Sequence, residues 1–564
     1  MFRLFGLDRL IRLVIRKIMM LWVRTQVLPN DWRGLGIDPE KPICYVLQSR
    51  LLSNVLVLES EAQNLGMPRP LASMRQHGLR EKHSILCLTR GDQPNPLIKP
   101  RHQHSPRLQA LIEAVKADNT LDVQLVPVTI LWGRAPDKES SLLKVLLADS
   151  WATPSALKQF FTVLVQGRTT MLRVNAPISL RQICDEGQDS ERTLRKVSRV
   201  LRVHFRRQRT AVIGPDLSHR RTLVSEIIRA EPVQAAIARE MSEKGVTRDV
   251  AEARARLYCN EIAADYSFPV VNALKSFLTW MWTRLYNGVE VHHFETVEKH
   301  MADHEVIYVP CHRSHIDYLL LAYVIFIHGY TTPHIAAGAN LNMPIVGGIL
   351  RRSGAFFLRR TFRDNFLYGI VFHEYLHQIM SRGFPIKYFV EGGRSRTGRL
   401  LTAKLGMVNM TLRSYLRDHK RPLVFLPAYI GYEKLMEGGT YIGELQGKPK
   451  QKENLFALAM SVRKLQKVFG RVHLSFGSPI YLNDVLDANM PGWRTNPNAA
   501  ESPEFVTTSK AIGDAITTQI NACAVVNPVN LLSLVLLSTP KHAIDEEQLA
   551  EQVALNKALL QAVP

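Results

Sequence analysis

One heptapeptide joins a predicted strand to a predicted helix: Cys311-His312-Arg313-Ser314-His315-Ile316-Asp317. The apolar run 304–310 before it is typical of a buried strand, and the apolar run 318–327 after it is typical of a helix. His312 and Asp317 would not meet on one continuous helix, because residues five apart point roughly 140° away from each other. We therefore expect His312 to lie in the turn and Asp317 in the first turn of the helix behind it.

A histidine and an aspartate in this arrangement can act as a base and its orienting partner. An aspartate that accepts one imidazole N–H leaves the other ring nitrogen free to take a proton from a hydroxyl group. Other interpretations compete from the residues alone: surface or helix-capping side chains, metal ligands that include His315, a nucleophilic Cys311 and a nucleophilic Ser314. Against them, no further ligand cluster lies nearby, adjacent side chains rarely point at each other, and no Gly-x-Ser-x-Gly elbow surrounds the serine.

The segment 351–421 is strongly basic, with 15 lysine or arginine residues against 4 acids. A small dianionic phosphate would bind well there, since arginine grips phosphate oxygens with a planar fork of donors. The candidate ligands are Arg360, Arg394 and Arg396. The pair Gly392-Gly393 would let backbone N–H groups approach the same anion. A solvated or membrane-facing patch is the alternative, but aromatic residues directly precede the arginines and favour charged groups at the ends of buried strands.

Four sequence blocks occur in order along this half of the chain. After the heptapeptide they are Gly354-Ala355-Phe356-Phe357-Leu358-Arg359-Arg360, Phe389-Val390-Glu391-Gly392-Gly393-Arg394-Ser395-Arg396 and Leu426-Pro427-Ala428-Tyr429-Ile430. They resemble the four blocks of the glycerolipid acyltransferase family, and the similarity covers nearly the whole chain. A histidine and an aspartate at this spacing would be weak evidence alone, whereas four blocks in order are specific.

The resemblance implies a reaction and a role for each block. His312 would be the general base on the 1-hydroxyl of glycerol 3-phosphate, and Asp317 would orient it. The activated oxygen would attack the thioester carbonyl of an acyl chain on coenzyme A or acyl carrier protein, giving 1-acylglycerol 3-phosphate in the first step of phospholipid biosynthesis. The family implies no covalent acyl-enzyme, no cofactor and no metal. The residues implied at the substrate site are Arg360, Glu391, Gly392, Arg394, Ser395, Arg396 and Pro427, the last near the acyl donor.

Two positions depart from the family pattern. Many relatives carry Asn where this chain has Cys311 and Thr where it has Gly393, but neither position supplies the proton-transfer group. An acyltransferase acting on lysophosphatidate or another phosphorylated acceptor is an alternative, because the phosphate grip would be shared. Longer relatives continue past Pro564, so a C-terminally truncated chain is a further alternative. The sequence sets neither the acyl-chain length, nor the thioester carrier, nor the oligomeric state.

Composition agrees with an enzyme at a membrane surface. The net charge of +22 implies an anionic partner, and no run of 18 or more uncharged apolar residues predicts a membrane-spanning helix. Six scattered cysteines without paired or zinc-like spacing favour a reducing cytoplasm.

The amino terminus has the pattern of an amphipathic helix. Apolar residues recur at steps of three and four from Leu4 to Leu21, opposite Arg9, Arg12 and Arg16. This pattern predicts a helix in the interface of an anionic phospholipid membrane, with a core helix as the alternative. Together with the resemblance, it places the enzyme peripherally on the cytoplasmic face of the bacterial inner membrane.

A basic nucleic-acid-binding protein is the alternative from another class. Eight lysine or arginine residues lie in the helix-like segment 192–209. Interleaved apolar residues fit a domain-docking or membrane-facing helix equally well, so with the four blocks present we expect no nucleic-acid partner.

The second half of the chain predicts an α/β fold. Strand-like runs at 305–309, 386–390, 423–430 and 472–476 alternate with helical patterns, which is typical of a central mixed sheet flanked by helices. His312 and Glu391 would each follow a strand and so lie at the carboxyl edge of the sheet, where such folds bind ligands.

The first half of the chain echoes the second. Three segments recur in the same order: 43–54 as 306–317, 125–130 as 425–430, and 176–180 as 478–482. Ser49 and Asn54 stand where His312 and Asp317 would be, and neither can perform the proton transfer. The predicted divisions are an amphipathic membrane-interface helix at 1–29, a degenerate acyltransferase-like domain at 30–212, a helical connector at 213–293, the catalytic domain at 294–485 and a helical region at 486–564.

Overall fold

The chain divides into two compact units in the computed structural model. They comprise Met1–Asp216 with His328–Tyr330, and Leu217–Ile327 with Thr331–Pro564. The structure describes residues 7–29, 31–49, 51–74, 79, 81–89, 105–132, 163, 167–186, 189–214, 220–359, 361–362, 365–418, 420–446, 469–540 and 543–562. The predicted five-part division of the chain stays a prediction.

The first unit is a mixed sheet with helices packed on it. Its helices are α1 (Leu7–Trp22), α2 (Leu52–Asn64), α3 (Pro106–Ala117), α4 (Leu180–Cys184) and α5 (Ser190–Ile213). Its strands are β1 (Thr25–Leu28), β2 (Ile43–Ser49), β3 (Ile85–Thr89), β4 (Gln124–Trp132), β5 (Thr170–Val174) and β6 (Ile178–Ser179). The strand order is β1-β5-β4-β2-β3 with β6 beside β4, and β4 runs antiparallel to β5 and β6. Alternate residues of β2 enter two separate apolar clusters, Cys44 and Val46 in one, Tyr45 and Leu47 in the other, so both faces of this strand are covered.

The amino-terminal helix ends earlier than the sequence pattern predicts. α1 stops at Trp22, and β1 then pairs with β5 in parallel, starting at Thr25 opposite Thr170. This pairing gives the backbone of β1 hydrogen-bond partners in β5, so the helix does not continue to Pro29. Several apolar side chains of α1 are exposed: Val14, Ile15, Ile18 and Leu21.

The basic segment 192–209 lies within α5. The apolar residues of this helix pack into the core of the first unit, namely Leu194, Val197, Leu201 and Phe205. Its arginine-rich face therefore belongs to a helix docked on its own domain, as one of the alternatives predicts.

The second unit contains the predicted catalytic half. Its helices are α6 (Arg220–Arg229), α7 (Glu231–Lys244), α8 (Arg248–Ile262), α9 (Phe268–Arg284), α10 (Glu295–His300), α11 (Asp317–Ile327), α12 (Val346–Arg352), α13 (Phe366–Ser381), α14 (Gly406–Arg417), α15 (Gly438–Leu445), α16 (Leu482–Asn489), α17 (Glu504–Ala522), α18 (Pro528–Ser538) and α19 (Glu546–Ala562). Its strands are β7 (Val289–His292), β8 (Glu305–Pro310), β9 (His334–Gly338), β10 (Ala355–Leu358), β11 (Ile386–Lys387), β12 (Leu423–Tyr432), β13 (Val472–Phe476) and β14 (Ile480–Tyr481).

These strands form one mixed sheet in the order β10-β9-β11-β8-β12-β13-β7, with β14 beside β12. β12 is antiparallel to β13 and β14, and the other pairs are parallel. β8 lies in the middle, and all six of its residues are buried, as expected of a parallel strand covered on both faces. The predicted fold class, an α/β fold with mixed sheets flanked by helices, is confirmed.

Two boundaries in this unit differ from the prediction. The run 386–390 forms only a two-residue strand, β11, because the chain leaves the sheet before Glu391. The connector predicted to be helical as far as 293 contains a strand at its end, since Gly288 adopts a positive φ of 96° and β7 then pairs with β13.

The two sheets share the same strand registers. Val46 pairs with Pro127 as Val309 pairs with Pro427. Leu125 pairs with Ile178 as Phe425 pairs with Ile480. Val128 pairs with Val174 as Ala428 pairs with Phe476. Thr25 pairs with Thr170 as Val289 pairs with Val472. Each echo found in the sequence thus occupies the same place in its own sheet.

Among the residues that the structure describes, no helix combines the length and the apolar character needed to cross a bilayer.

Candidate active site

The catalytic turn, residues 311–317, links the end of β8 to the start of α11. His312 lies in the turn and Asp317 is the first residue of α11, as the five-residue spacing predicts. The His312 Nδ1 atom is 3.0 Å from Asp317 Oδ2, and both side chains are buried. The carboxylate accepts the Nδ1 proton, which leaves Nε2 as the ring nitrogen that can take a proton from another group.

The Asp317 carboxylate is held by four hydrogen bonds. Oδ2 accepts from the backbone N–H groups of Arg313 and Ser314 at 2.6 and 2.7 Å as well as from His312. Oδ1 accepts from the Tyr432 hydroxyl at 2.5 Å. Burial opposes ionisation, but the hydrogen bond and charge of His312 and the other donors together hold the pKa of the Asp317 carboxyl below its ordinary value.

The His312 ring lies in a mainly aromatic setting. It stacks on Phe389 with 3.8 Å between ring centroids and meets Tyr318 edge-on at 5.2 Å. Burial lowers the pKa of the His312 imidazole, and Asp317 offsets only part of this effect. The imidazole is therefore neutral at pH 7, which is the form a general base needs.

Two residues of the third sequence block hold the backbone of the turn. Glu391 Oε1 accepts from the His312 N–H at 2.7 Å, and Oε2 accepts from the Leu401 N–H at 2.8 Å. The Ser395 N–H donates to the His312 carbonyl oxygen at 2.9 Å. In this structure both residues therefore fix the position of the histidine backbone, and burial raises the pKa of the Glu391 carboxyl.

Glu437 supports the middle of the turn. Its carboxylate accepts from the Ser314 hydroxyl at 2.8 and 2.9 Å and from the His315 N–H at 3.0 Å. The carboxylate is itself buried. The Ser314 hydroxyl is thereby engaged, which disfavours its use as a nucleophile.

The predicted phosphate ligands are only partly brought together. The Arg394 side chain is 11% exposed, donates to the Tyr441 hydroxyl at 2.7 Å and lies 4.0 Å from Glu437. Arg396 donates to Glu444 at 2.5 Å. Arg360 lies outside the described residues.

Gly392 and Pro427 of the predicted site also have roles in the backbone structure, whereas the backbone at Gly393 does not require glycine. Gly392 adopts a φ of +62°, and a Cβ there would come within 2.7 Å of the Lys404 side chain, so only glycine fits without strain. A Cβ at Gly393 would meet nothing within 4 Å. Pro427 lies on β12 opposite Val309, and its carbonyl oxygen accepts from the Gly477 N–H.

Cys311 directly follows β8, and its side chain contacts the backbone of β12. Its Sγ atom accepts from the Ile430 N–H at 3.1 Å and lies 3.6 Å from the Ile430 carbonyl oxygen. Burial raises the pKa of this thiol to about 12, so a thiolate nucleophile is disfavoured.

Several residues that contact the catalytic turn were not predicted from the sequence, among them Lys387, Tyr432 and Glu437. Lys387 is buried and donates to the carbonyl oxygens of Asp317 and Tyr318. Burial lowers the pKa of its ammonium to about 7. Lys387 lies just before the third block, and Tyr432 and Glu437 lie just after the fourth, so nearness to a block was the available signal.

Comparisons with known proteins identify three matching regions. They are the N-terminal domain of the glycerol-3-phosphate acyltransferase PlsB over residues 11–214, the Acyltransferase family over 288–431 and the glycerol-3-phosphate acyltransferase C-terminal region over 441–564. The glycerol-3-phosphate acyltransferase of Pseudomonas paraeruginosa is 46% identical over 568 residues, covering 100% of this chain and 67% of that protein. That of Pseudomonas putida is 45% identical over 563 residues, covering 99% of this chain and 68% of that protein.

The chain thus spans about two thirds of the length of these relatives. Among solved structures, the 1-acyl-sn-glycerophosphate acyltransferase PlsC from Thermotoga maritima matches with a TM-score of 0.26 and 18% identity, covering 53% of this chain and 93% of that one.

An enzyme that acylates a hydroxyl needs a base beside it, and the buried His312–Asp317 pair lies within the region matched to the Acyltransferase family. The class of protein is therefore an acyltransferase. At 46% identity over its whole length, the chain belongs to the glycerol-3-phosphate acyltransferase family.

Proposed function

We propose that this enzyme transfers a fatty acyl group from the thioester of coenzyme A or acyl carrier protein to the 1-hydroxyl of sn-glycerol 3-phosphate. The product is 1-acyl-sn-glycerol 3-phosphate, and the step needs no cofactor. The observation that best supports this proposal is the buried His312–Asp317 pair, with Nδ1 bonded to the carboxylate and Nε2 left for the acceptor hydroxyl. The names of the relatives support glycerol 3-phosphate as the acceptor.

The residues of the turn suggest how the proton moves. The hydroxyl proton passes to His312 Nε2 as the acceptor oxygen forms its bond to the thioester carbonyl carbon. The imidazolium that results is stabilised by the Asp317 carboxylate, which is ionised because its pKa is held down by four hydrogen bonds. The tetrahedral intermediate then collapses, the C–S bond breaks, and the imidazolium returns a proton to the departing thiolate.

The acceptor phosphate is assigned to Arg394 and the adjacent Gly392-Gly393 backbone. Arg394 donates to the Tyr441 hydroxyl, which in turn donates to the Arg313 carbonyl oxygen of the catalytic turn at 3.1 Å. The guanidinium is thus held beside the turn, where it could anchor a small acceptor. Gly393 leaves open space around its backbone. Arg360 and Arg396 complete the proposed group, Arg396 on condition that it exchanges Glu444 for phosphate.

The acyl chain is assigned to an open cleft between α9, α11 and β9. Its lining is mainly apolar and includes Val271, Leu278, Leu319 and Phe326. α11 begins at Asp317, so one wall of the cleft continues directly from the catalytic turn. An apolar cleft beside a polar reacting centre suits a fatty thioester.

The enzyme is proposed to act as a peripheral protein on an anionic phospholipid membrane, at the cytoplasmic face of the inner membrane. In α1 the side chains of Ile18 and Leu21 are 64% and 88% exposed. Phe277 and Trp280 of α9 are likewise exposed. Exposed apolar and aromatic side chains on basic helices are typical of elements that enter the lipid interface.

Residues 30–212 are proposed to be a degenerate copy of the catalytic domain. The matching strand registers support this, and so does one side-chain contact. Trp132 Nε1 donates to Asn54 Oδ1 at 2.7 Å, in the place where Tyr432 donates to Asp317 Oδ1 at 2.5 Å. Ser49→Ala should leave acyl transfer unchanged, and a large loss of activity in this variant would contradict the proposal.

The test of the reaction compares the parent enzyme with His312→Ala in anionic vesicles, supplied with labelled glycerol 3-phosphate and palmitoyl coenzyme A. His293→Asn serves as the control, because this histidine is 64% exposed and lies outside the turn. The parent and the control should form 1-acylglycerol 3-phosphate, and His312→Ala should not. Product only when lysophosphatidate replaces glycerol 3-phosphate would overturn the acceptor, and full activity in His312→Ala would overturn the base.

A further inference from the structure

Three potential metal ligands share one face of the edge strand β7 and its neighbour β13. Glu290 and His292 are alternate residues of β7, so their side chains point to the same side of the sheet. His473 of β13 is registered directly opposite Glu290. The backbone itself therefore brings two imidazoles and one carboxylate together.

The side chains form a compact triangle. His292 Nε2 lies 3.4 Å from His473 Nδ1, and these nitrogens lie 3.9 and 3.8 Å from the Glu290 carboxylate oxygens. Four ligands at ~2.1 Å around a tetrahedral zinc ion are separated by ~3.4 Å. One ligand atom from each residue lies within 4.8 Å of the others, so side-chain shifts of about 1 Å would bring all three to a common ion.

We propose that Glu290, His292 and His473 bind one divalent transition-metal ion of the zinc class, with water in the fourth position. Imidazole and carboxylate are the ligands that such ions prefer, whereas magnesium and calcium favour oxygen alone. Glu290 is 44% and His292 30% exposed, which gives the ion a path from solvent, while His473 is only 8% exposed.

The two rings already face each other through one nitrogen each, at hydrogen-bond distance. A metal ion would take the place of the proton between them.

Arg471 competes for the carboxylate. Its Nη1 atom lies 3.3 Å from Glu290 Oε2. Binding of the ion would break this contact, so removal of the guanidinium should tighten the site.

The ion would clip the outermost strand to the rest of the catalytic sheet. His473 is registered opposite Gly431 of β12, and the next residue of that strand, Tyr432, donates to the catalytic aspartate. The proposed metal site is separate from the acyl-transfer centre. The sequence patterns predict no metal there.

The test is a titration of the metal-free full chain with Co²⁺, followed by the visible d–d absorption of tetrahedral cobalt, and with Zn²⁺, followed by calorimetry. We expect one ion per chain and a rise in the unfolding temperature on binding. Since loss of an outer-shell partner costs roughly 10–100-fold in affinity, loss of a ligand in His292→Gln or Glu290→Gln should cost at least ~100-fold.

The control variants are His293→Asn, the neighbouring exposed histidine, which should bind like the parent, and Arg471→Gln, which should bind more tightly. No stoichiometric binding by the parent would overturn the proposal, as would an equal loss in His293→Asn. These readouts do not depend on acyl transfer, so failure here and failure of the proposed reaction are distinguishable.

Discussion

Asp317→Asn removes one charge from the catalytic turn while preserving its hydrogen bonds. The asparagine carbonyl can take the place of Oδ2 and accept from Arg313, Ser314 and His312, as the carboxylate does. The amide NH₂ group then points at the Tyr432 oxygen, which can accept. The His312 tautomer is kept, so the loss of activity should measure the carboxylate charge.

The size of that loss follows from the geometry. With Nδ1 and Oδ2 3.0 Å apart, the imidazolium and carboxylate charge centres are ~4 Å apart. At an effective dielectric of ~20 their attraction is roughly 4 kcal/mol, and 1.36 kcal/mol corresponds to about tenfold in rate. We expect kcat/KM to fall by about 10³-fold.

The pH profile should move in a defined direction. Asp317 is the main influence that raises the pKa of His312 against the effect of burial. Without the carboxylate charge the imidazole stays neutral to lower pH, so the acid limb of kcat/KM should shift downward even as the plateau falls.

The assay is initial-rate acyl transfer in vesicles at saturating thioester across pH. Glu374→Gln is the control, because this buried carboxylate is bonded to Gln378 and Arg417, neither of which belongs to the catalytic turn. Glu374→Gln should change the free energy of unfolding more than it changes the rate of acyl transfer. Activity of Asp317→Asn within threefold of the parent, or an acid limb that moves upward, would refute the reasoning.

Three further outcomes are expected. Tyr432→Phe leaves Asp317 with one donor fewer. The free energy of unfolding should therefore fall by about 1.5–3 kcal/mol, and the acid limb of kcat/KM should move to higher pH. Denaturant titration and pH–rate profiles measure these two effects. The free energy of unfolding of the parent, relative to that of Lys387→Met, should rise as the pH rises from about 7 to 10.5. Over that window the lysine binds more protons in the unfolded chain than when it is buried. A difference between the two proteins that does not change with pH would be contrary evidence. Leu21→Glu should weaken sedimentation with anionic vesicles more than Gln26→Glu, which adds the same charge beyond α1, and equal effects would mean that charge alone governs binding.

Local patterns were sufficient to predict the central strands and the catalytic turn. β8 is a nearly continuous apolar run and β13 alternates apolar with polar residues, while the spacing of His312 and Asp317 predicts a turn followed by a helix. β7 was missed because a four-residue strand is too short to show a period, and its partner β13 lies about 180 residues away in the chain.

The supporting residues of the site were harder to predict for a related reason. Tyr432 and Glu437 act through contacts with residues more than 110 positions earlier, and a tyrosine or glutamate in isolation carries no sign of such a partner. Glu391 and Ser395 were expected to touch substrate, whereas the structure engages both with the backbone of the turn. Arg360 lies outside the described residues, so its predicted role stays a prediction.

The catalytic turn has a consequence for how the protein folds. Four of its seven residues are bonded to partners 79, 115, 119 and 123 positions further along the chain. Contacts of such long range form late, because closing the intervening loops costs entropy before any bond is gained. During refolding from denaturant, helical signal should therefore return well before acyl transfer does, and a species that has its helices but not its completed sheet would have no working base.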